Sequence, residues 1–127
     1  MKKIILVTLL STLSLPTFAD DTCSIERGSE VFNKCTACHR IDKEQSHFVG
    51  PNLHDLAGRI VGSAEGFKYS RQLRKDSRTW NAELFDQFIT APAEMFPRTR
   101  MAFAGLKKSQ ERADLYCFIK NLKEASK

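Results

Sequence analysis

Five consecutive residues, Cys35-Thr36-Ala37-Cys38-His39, have the types and the spacing for cofactor chemistry. Two thiols three positions apart lie on one face of a helical turn, and an imidazole follows directly. This C-x-x-C-H pattern is the attachment signal for c-type haem, because two thiols can add to the two vinyl groups along one edge of the ring. His39 is then carried under the iron, where a neutral imidazole nitrogen can coordinate it. The motif predicts haem c, one per chain, attached through Cys35 and Cys38.

A second axial ligand to the iron has four candidates in the sequence, His47, His54, Met95 and Met101, besides the alternative that there is none. A thioether is soft and uncharged and suits haem iron held for electron transfer. A methionine among aromatic residues is, however, more often part of the core. Position alone leaves the choice open.

Residues 1–19 have the organisation of a cleavable secretory signal peptide. Lys2 and Lys3 precede an apolar run, and small residues stand at the positions that a signal peptidase reads before cleavage after Ala19. The apolar run is too short to span a bilayer, which disfavours the alternative of an uncleaved anchor. Cleavage removes two lysines and no acid, so the net charge falls from +5 to +3. We expect export to the bacterial periplasm and a single domain over residues 20–127.

Apolar periodicity predicts an all-α domain of three to five helices, with no convincing strand. A helical pattern runs from Ser24, a possible N-cap, to Cys38, and Ser109 is predicted to cap a terminal helix. Two further helices are predicted over residues 69–75 and 81–90, the second ended by Pro92. Residues 40–66 lack a regular pattern, and a loop of this length suits a chain draped over a ligand.

Several blocks of sequence between about Ile25 and Leu122 occur in the order and at the spacing of a known family. They are Gly28 with Phe32, the C-x-x-C-H motif, residues 50–59, residues 66–70, Trp80, Pro92, residues 97–106 and residues 111–115. In these blocks the chain resembles the class I monohaem cytochromes c, of the mitochondrial and alphaproteobacterial kind. The resemblance implies the small cytochrome c fold, with helices and long loops wrapped around one covalently bound haem.

The resemblance also implies roles for individual residues. His39 matches the proximal iron ligand, with the carbonyl of Pro51 accepting its other ring N–H, and Met101 matches the distal ligand. The residues that match positions holding the haem propionates are Arg59, Tyr69, Trp80 and Thr99. Phe103 matches an aromatic residue that covers the exposed haem edge. The residues that match the crossing of the first and last helices are Gly28, Phe32, Leu115 and Phe118.

With both axial positions filled, the iron has no place for a substrate, so the resemblance implies a soluble one-electron carrier and not an enzyme. One alternative is a haem peroxidase or gas sensor with a labile methionine ligand. Another is a thiol-disulfide oxidoreductase using Cys35 and Cys38, which would need a βαβ framework. The sequence does not interleave basic and aromatic residues as a nucleic-acid-binding surface would, so we expect no nucleic-acid partner.

Basic residues at positions that ring the haem edge in the family indicate a docking face for acidic partners. They are Lys34, Arg100, Lys107 and Lys108. The expected partners are redox proteins, with a cytochrome bc-type donor and a terminal oxidase, peroxidase or reductase as acceptor, and we expect a monomer. Ordinary solvated lysines are the alternative, since Phe48 and Ala93 stand where the family often has lysines.

Three departures from the family pattern concern the surroundings of the iron. Phe88 and Leu73 replace a tyrosine and an asparagine that form hydrogen bonds near the bound methionine, which makes the distal pocket drier. Arg98 replaces a glycine beside Thr99. Burial and hydrogen bonding both move reduction potentials, so we predict that the potential and the strength of the Met101–iron bond differ from those of typical members.

Two cysteines lie outside the haem motif, Cys23 and Cys117. Export to an oxidising compartment and the even cysteine count motivate the hypothesis of a disulfide between them. The alternatives are that Cys117 is a small buried residue and that Cys23 lies in a frayed terminus.

Overall fold

The computed structural model describes residues 23–126, which form five helices around one apolar core. The helices are α1 (Ile25–Phe32), α2 (Arg71–Lys75), α3 (Ala82–Thr90), α4 (Pro92–Met95) and α5 (Ser109–Ala125). Within the described residues, extended backbone pairs only at an isolated antiparallel bridge between Ile60 and Thr79. The predicted all-α class is confirmed. The predicted signal peptide lies outside the described residues.

Side-chain caps explain where the helices begin. Ser24 caps α1 as predicted, because its hydroxyl accepts a hydrogen bond from the N–H of Arg27 at 3.2 Å. Asn81 caps α3 in the same way, through the N–H of Leu84 at 2.8 Å. The predicted cap at Ser109 is wrong by one position, since Ser109 is the first helical residue and the N-cap is Lys108, whose backbone is extended.

The first helix is shorter than its apolar pattern predicts. It ends at Phe32, and residues 33–38 form turns in place of the predicted helix. The N–H of Lys34 donates to Val31 and that of Cys35 to Phe32, so hydrogen bonds three residues apart replace the four-residue spacing of the helix. The two motif thiols therefore lie on a tightened turn.

Helices α1 and α5 cross at Gly28, as the resemblance implies. A Cβ atom built on Gly28 would lie 2.1 Å from the carbonyl oxygen of Asp114 and 2.7 Å from Cβ of Phe118. Only a residue without a side chain permits this approach. Beside the crossing, the rings of Phe32 and Phe118 pack with centroids 5.5 Å apart.

A buried carboxylate joins the same two helices. Asp114 on α5 is 2% exposed, and it accepts hydrogen bonds from the N–H of Ser24 at 2.7 Å and from Nε of Arg27 at 2.8 Å. Gln110 donates a further one at 3.0 Å. The hydrogen bond from Arg27 is the main reason why the pKa of Asp114 falls to about 2, against the opposing effect of burial.

Cys23 and Cys117 form a disulfide in the structure, with their Cα atoms 6.1 Å apart and a sequence separation of 94. This Cα–Cα distance lies within the range that a disulfide spans. The bond links the residue before the cap of α1 to the middle of α5. The free cysteines of the described residues are Cys35 and Cys38, the pair that haem attachment requires.

The core gathers apolar side chains from α1, α3, α5 and the intervening loops. Its most deeply buried side chains include Leu115 and Ile119 of α5 and Val61 of the long loop, each 1% exposed. The structured loop over residues 40–66 therefore contributes to the core directly. In the part of the chain that the structure describes, no helix has both the length and the apolar character needed to cross a membrane.

Candidate haem-attachment site

The turn after α1 presents the two motif thiols differently. The N–H groups of Cys38 and His39 both donate to the carbonyl of Cys35, at 3.0 and 2.9 Å, which closes the turn. Cys35 is half-buried and packs against the core, whereas Cys38 is exposed. The turn therefore holds one thiol against the core and the other at the protein surface.

Burial raises the pKa of the Cys35 thiol to about 11, with Lys34 opposing the shift and Cys38 adding to it. The thiol is therefore protonated in neutral solution. Cysteines that exchange disulfides have lowered pKa values, because the thiolate is the nucleophile. The surroundings of Cys35 act in the opposite direction.

His39 is held in place by Gly50 and Pro51. Its Nδ1 lies 2.8 Å from the carbonyl oxygen of Pro51, so Nδ1–H donates and Nε2 keeps a lone pair for a metal. Gly50 lies flat against the imidazole, because an added Cβ would come within 2.4 Å of Cε1 of His39. The N–H of Gly50 donates to the carbonyl of Cys38 at 2.8 Å, which ties this support to the motif itself. Burial lowers the pKa of His39, against the hydrogen bond from Nδ1, and so favours the neutral ring.

The other two histidines have both ring nitrogens occupied. In His47, Nδ1 accepts from the N–H of Asn52 at 2.9 Å and Nε2 lies 2.7 Å from the carbonyl of Glu65. In His54, Nδ1 lies 2.9 Å from the carbonyl of Ile41 and Nε2 lies 3.1 Å from the hydroxyl of Ser126. Both rings brace loops through both of their nitrogens, which disfavours the two histidines among the four candidate ligands.

Met101 lies on the loop between α4 and α5 and is half-buried against the core. Its N–H donates to the hydroxyl of Thr99 at 3.2 Å, and its carbonyl accepts from the N–H of Phe103 at 3.0 Å. The loop then returns to α3, where the N–H of Leu106 donates to the carbonyl of Ile89 at 2.8 Å. This segment joins three residues with implied haem roles, Thr99, Met101 and Phe103.

Arg59 supplies an unmatched donor in the protein interior. Its side chain pairs with Asp55, and its Nη1 donates to the carbonyl of Asn52 at 3.3 Å. Its Nε is buried and has no hydrogen-bond partner among the described residues. A buried charged donor without an acceptor is costly, so a carboxylate acceptor such as a haem propionate fits here.

Tyr69 and Trp80 both interact with Arg59. The N–H of Trp80 donates to the carbonyl of Arg59 at 2.9 Å, and the Trp80 ring is buried with an edge contact to Phe88. Burial raises the pKa of the Tyr69 phenol, which the Arg59 cation partly offsets. The structure thus brings together three of the four residues implied to hold propionates, namely Arg59, Tyr69 and Trp80.

Three of the four predicted docking cations have partners within the protein. Lys34 and Lys108 both pair with Glu111, at 2.7 and 3.5 Å. Nζ of Lys107 donates to the carbonyls of Thr90 and Ala104, at 3.1 and 3.2 Å. Arg100 has no salt bridge within residues 23–126. Glu111 therefore offsets part of the positive charge that the sequence indicates for this face.

The structure shows the surroundings of the three residues that depart from the family pattern, Phe88, Leu73 and Arg98. Phe88 lies in the core between Trp80 and Phe96, with ring centroids 5.1 and 5.9 Å away, and Leu73 packs against the same core. Arg98 is exposed, and among the described residues only glycines have positive φ, so its backbone is ordinary. The effect on the potential stays a prediction.

Sequence reasoning missed the role of Gly50. The Gly-Pro pair after a polar loop predicts a turn, but the contact of Gly50 with the imidazole is a tertiary feature. The sequence does place Gly50 and Pro51 eleven and twelve residues after His39, within one of the blocks that resemble the family.

Comparison with known proteins agrees with this fold. A family model described as "Cytochrome c" matches residues 25–123. The chain is 39% identical over 108 residues to cytochrome c of Chlamydomonas reinhardtii, covering 84% of this chain and 96% of that protein. It is 38% identical over 98 residues to cytochrome c2 of Rhodoblastus acidophilus, covering 77% and 92% of the two chains. It is 37% identical over 121 residues to cytochrome c2 of Blastochloris viridis, covering 94% and 93%.

A helical fold with a C-x-x-C-H turn and a braced imidazole defines the class of c-type haem proteins. The chain belongs to the cytochrome c family. Membership of this family implies a covalently bound haem c.

Proposed function

We propose that this protein is a soluble one-electron carrier whose haem c is attached through Cys35 and Cys38 and ligated by His39 and Met101. The observation that carries the proposal is the orientation of His39. Its Nδ1–H donates to Pro51 while Gly50 supports the ring, so Nε2 is left as the metal-binding nitrogen directly after two free thiols.

Haem bound here would supply a one-electron redox centre, and the protein residues would attach it, ligate it and exclude water. A thioether from Met101 would raise the potential of haem iron that His39 also ligates. Arg59, with Tyr69, Trp80 and Thr99, would hold the propionates, and the unpaired Nε of Arg59 supports this assignment. Phe103 would cover the haem edge.

With His39 and Met101 both as ligands, the iron would have no place for a substrate, which is why we propose a carrier and not an enzyme. A peroxidase or gas sensor would need the methionine to leave the iron. A thiol-disulfide oxidoreductase would need a lowered thiol pKa, and burial raises that of Cys35. The residues favour the carrier over both alternatives.

The carrier would work in the bacterial periplasm after removal of residues 1–19. Its partners would be redox proteins with acidic docking faces, a cytochrome bc-type donor and an oxidase, peroxidase or reductase acceptor. Arg100 and the partly paired cations Lys34, Lys107 and Lys108 would form the docking face of a monomer.

Expression in a bacterial host with a c-type haem maturation system tests the proposal. Haem should stay with the protein after acidic organic extraction, and potentiometric titration should be reversible with a single electron. The double variant Cys35→Ser/Cys38→Ser should release its haem, whereas Thr36→Ser, inside the same motif, should not. Haem that is extracted from the unaltered protein, or a titration without a reversible one-electron step, would refute the proposal.

A further inference from the structure

The segment that contains α4 and Met101 starts and ends at the last turn of α3. The N–H of Leu106 donates to the carbonyl of Ile89 at 2.8 Å, and Nζ of Lys107 donates to the carbonyl of Thr90 at 3.1 Å. The last turn of a helix leaves its carbonyls without partners inside the helix, and a cation there also meets the negative end of the helix dipole. The returning chain therefore supplies donors for two of these carbonyls, and we call this contact the loop junction.

Gly105 allows the two chains to touch at the loop junction. It has φ of +93°, and an added Cβ would lie 2.1 Å from the carbonyl oxygen of Thr90. Lys107 bridges the departing and the returning chain, because its Nζ also donates to the carbonyl of Ala104 at 3.2 Å. One ammonium group therefore joins Thr90, where the segment leaves α3, to Ala104, three residues after Met101.

The backbone that carries the Lys107 side chain is held independently by α5. Nη1 of Arg112 donates to the carbonyls of Leu106 and Lys107, at 3.1 and 3.0 Å. Nε of the same guanidinium pairs with Asp86 of α3 at 2.6 Å. Loss of the Lys107 ammonium group should therefore loosen the loop junction while the surrounding helices keep their contacts.

We propose that Lys107 is a positioning residue for Met101, because its ammonium group closes the loop junction and keeps the thioether at the iron. The inference rests on the proposed ligand set of His39 and Met101, and it gives Lys107 a role beyond the docking face. A ligand on a loop whose ends are joined samples a smaller volume when it leaves the iron, so it returns more readily. Local opening of the junction enlarges that volume and favours the open iron.

Imidazole binding to the oxidised, haem-loaded protein tests the proposal, because imidazole can bind only when Met101 has left the iron. The apparent affinity is the intrinsic affinity multiplied by the fraction of molecules with an open iron. Lys107→Gln should bind imidazole about threefold or more tightly than the unaltered protein, since it loses the cation at the end of α3. Lys107→Arg keeps a cationic donor and should stay within about twofold of the unaltered protein.

The matched control is Lys120→Gln, which removes the same charge from an exposed position on α5, where Lys120 pairs with Glu124 at 3.7 Å. Its affinity for imidazole should stay within about 1.5-fold of that of the unaltered protein. Lys107 and Lys120 are both exposed, and urea unfolding shows whether each variant is folded.

An unchanged affinity in Lys107→Gln would overturn the proposal, as would an equal increase in Lys120→Gln or in Lys107→Arg. The near-infrared sulfur-to-iron band of the oxidised, unaltered protein separates this inference from the proposed function. If the band is present, such results refute only the role of Lys107. Absence of the band would refute Met101 as the ligand, and the positioning role of Lys107 with it.

Discussion

Replacement of Gly50 by alanine should disturb His39 through a single contact. The added Cβ would lie 2.4 Å from Cε1, 2.8 Å from Nδ1 and 2.9 Å from Nε2 of the imidazole. Ordinary contact begins at 3.4 Å, so the ring must retreat by about 1 Å. That movement weakens the hydrogen bond from Nδ1 to Pro51, which is 2.8 Å long in the structure.

The expected loss of stability follows from three contributions. Overpacking in a filled site costs about 1–3 kcal/mol, and loss of the hydrogen bond adds about 0.5–1.5 kcal/mol. The smaller conformational entropy of the unfolded alanine variant returns about 0.4–1 kcal/mol. Gly50 does not have a positive φ, so backbone strain adds nothing. The free energy of unfolding of the Gly50→Ala variant should therefore fall by about 2 kcal/mol.

Two measurements on the haem-loaded protein check this prediction. Urea unfolding gives the change in stability, and the shifted proton resonances of the axial imidazole in the oxidised protein report the position of the ring. The control is Gly66→Ala, which has φ of +80° and no heavy atom nearer than His47 Nε2 at 4.0 Å. It should lose about 1–2 kcal/mol through backbone strain and leave the imidazole resonances unchanged. A Gly50→Ala variant with the stability and resonances of the unaltered protein would refute the reasoning.

Three further predictions concern the crossing of α1 and α5. Gly28→Ala should lower the free energy of unfolding by about 3 kcal/mol or more in a urea titration, because its Cβ would meet the Asp114 carbonyl oxygen at 2.1 Å; unchanged stability would contradict the close approach. The pKa of Asp114 is lowered to about 2 in the folded protein, against about 4 in the unfolded chain. Its contribution to the free energy of unfolding is therefore complete above the unfolded pKa and is lost as the pH falls through the folded pKa. The stability gap between the unaltered protein and Asp114→Asn should therefore shrink on acidification, and a gap that is constant from neutral to strongly acidic pH would exclude this titration. Intact mass after alkylation should show no free thiol at Cys23 and Cys117 until a reductant is added, and reduction should destabilise the protein by about 4–5 kcal/mol, since the bond closes a loop of 94 positions; two alkylated thiols without reductant would exclude the disulfide.

Local features of the fold were predictable because they depend on neighbours in sequence. Ser24 precedes an apolar periodicity and caps a helix in the structure as predicted, whereas the predicted cap at Ser109 is one position off. The end of α1 was not predictable, because the apolar stripe continues to Cys35 while the hydrogen bonds tighten after Phe32. Periodicity describes which side faces the core, and it does not distinguish a helix from a series of turns.

The candidate haem site likewise has one part that the sequence predicts and another that tertiary packing decides. The order of Cys35, Cys38 and His39 predicts haem attachment, since that chemistry requires thiols and imidazole at fixed spacing. The support of His39 by Gly50 depends on a loop folding back, and the hydrogen bond from the N–H of Arg98 to Gln72 joins positions 26 residues apart in sequence. Such contacts are set by tertiary packing, for which spacing in the chain gives no rule.

The central claim is that Met101 closes the iron, and carbon monoxide tests it most directly. The reduced, haem-loaded protein should show no change in its optical spectrum on addition of carbon monoxide at neutral pH. Met101→Ala should bind carbon monoxide, because it opens the axial position, whereas Met95→Ala, a second half-buried methionine against the same core, should behave as the unaltered protein. Carbon monoxide binding to the unaltered protein, or an open iron in Met95→Ala and not in Met101→Ala, would contradict the account.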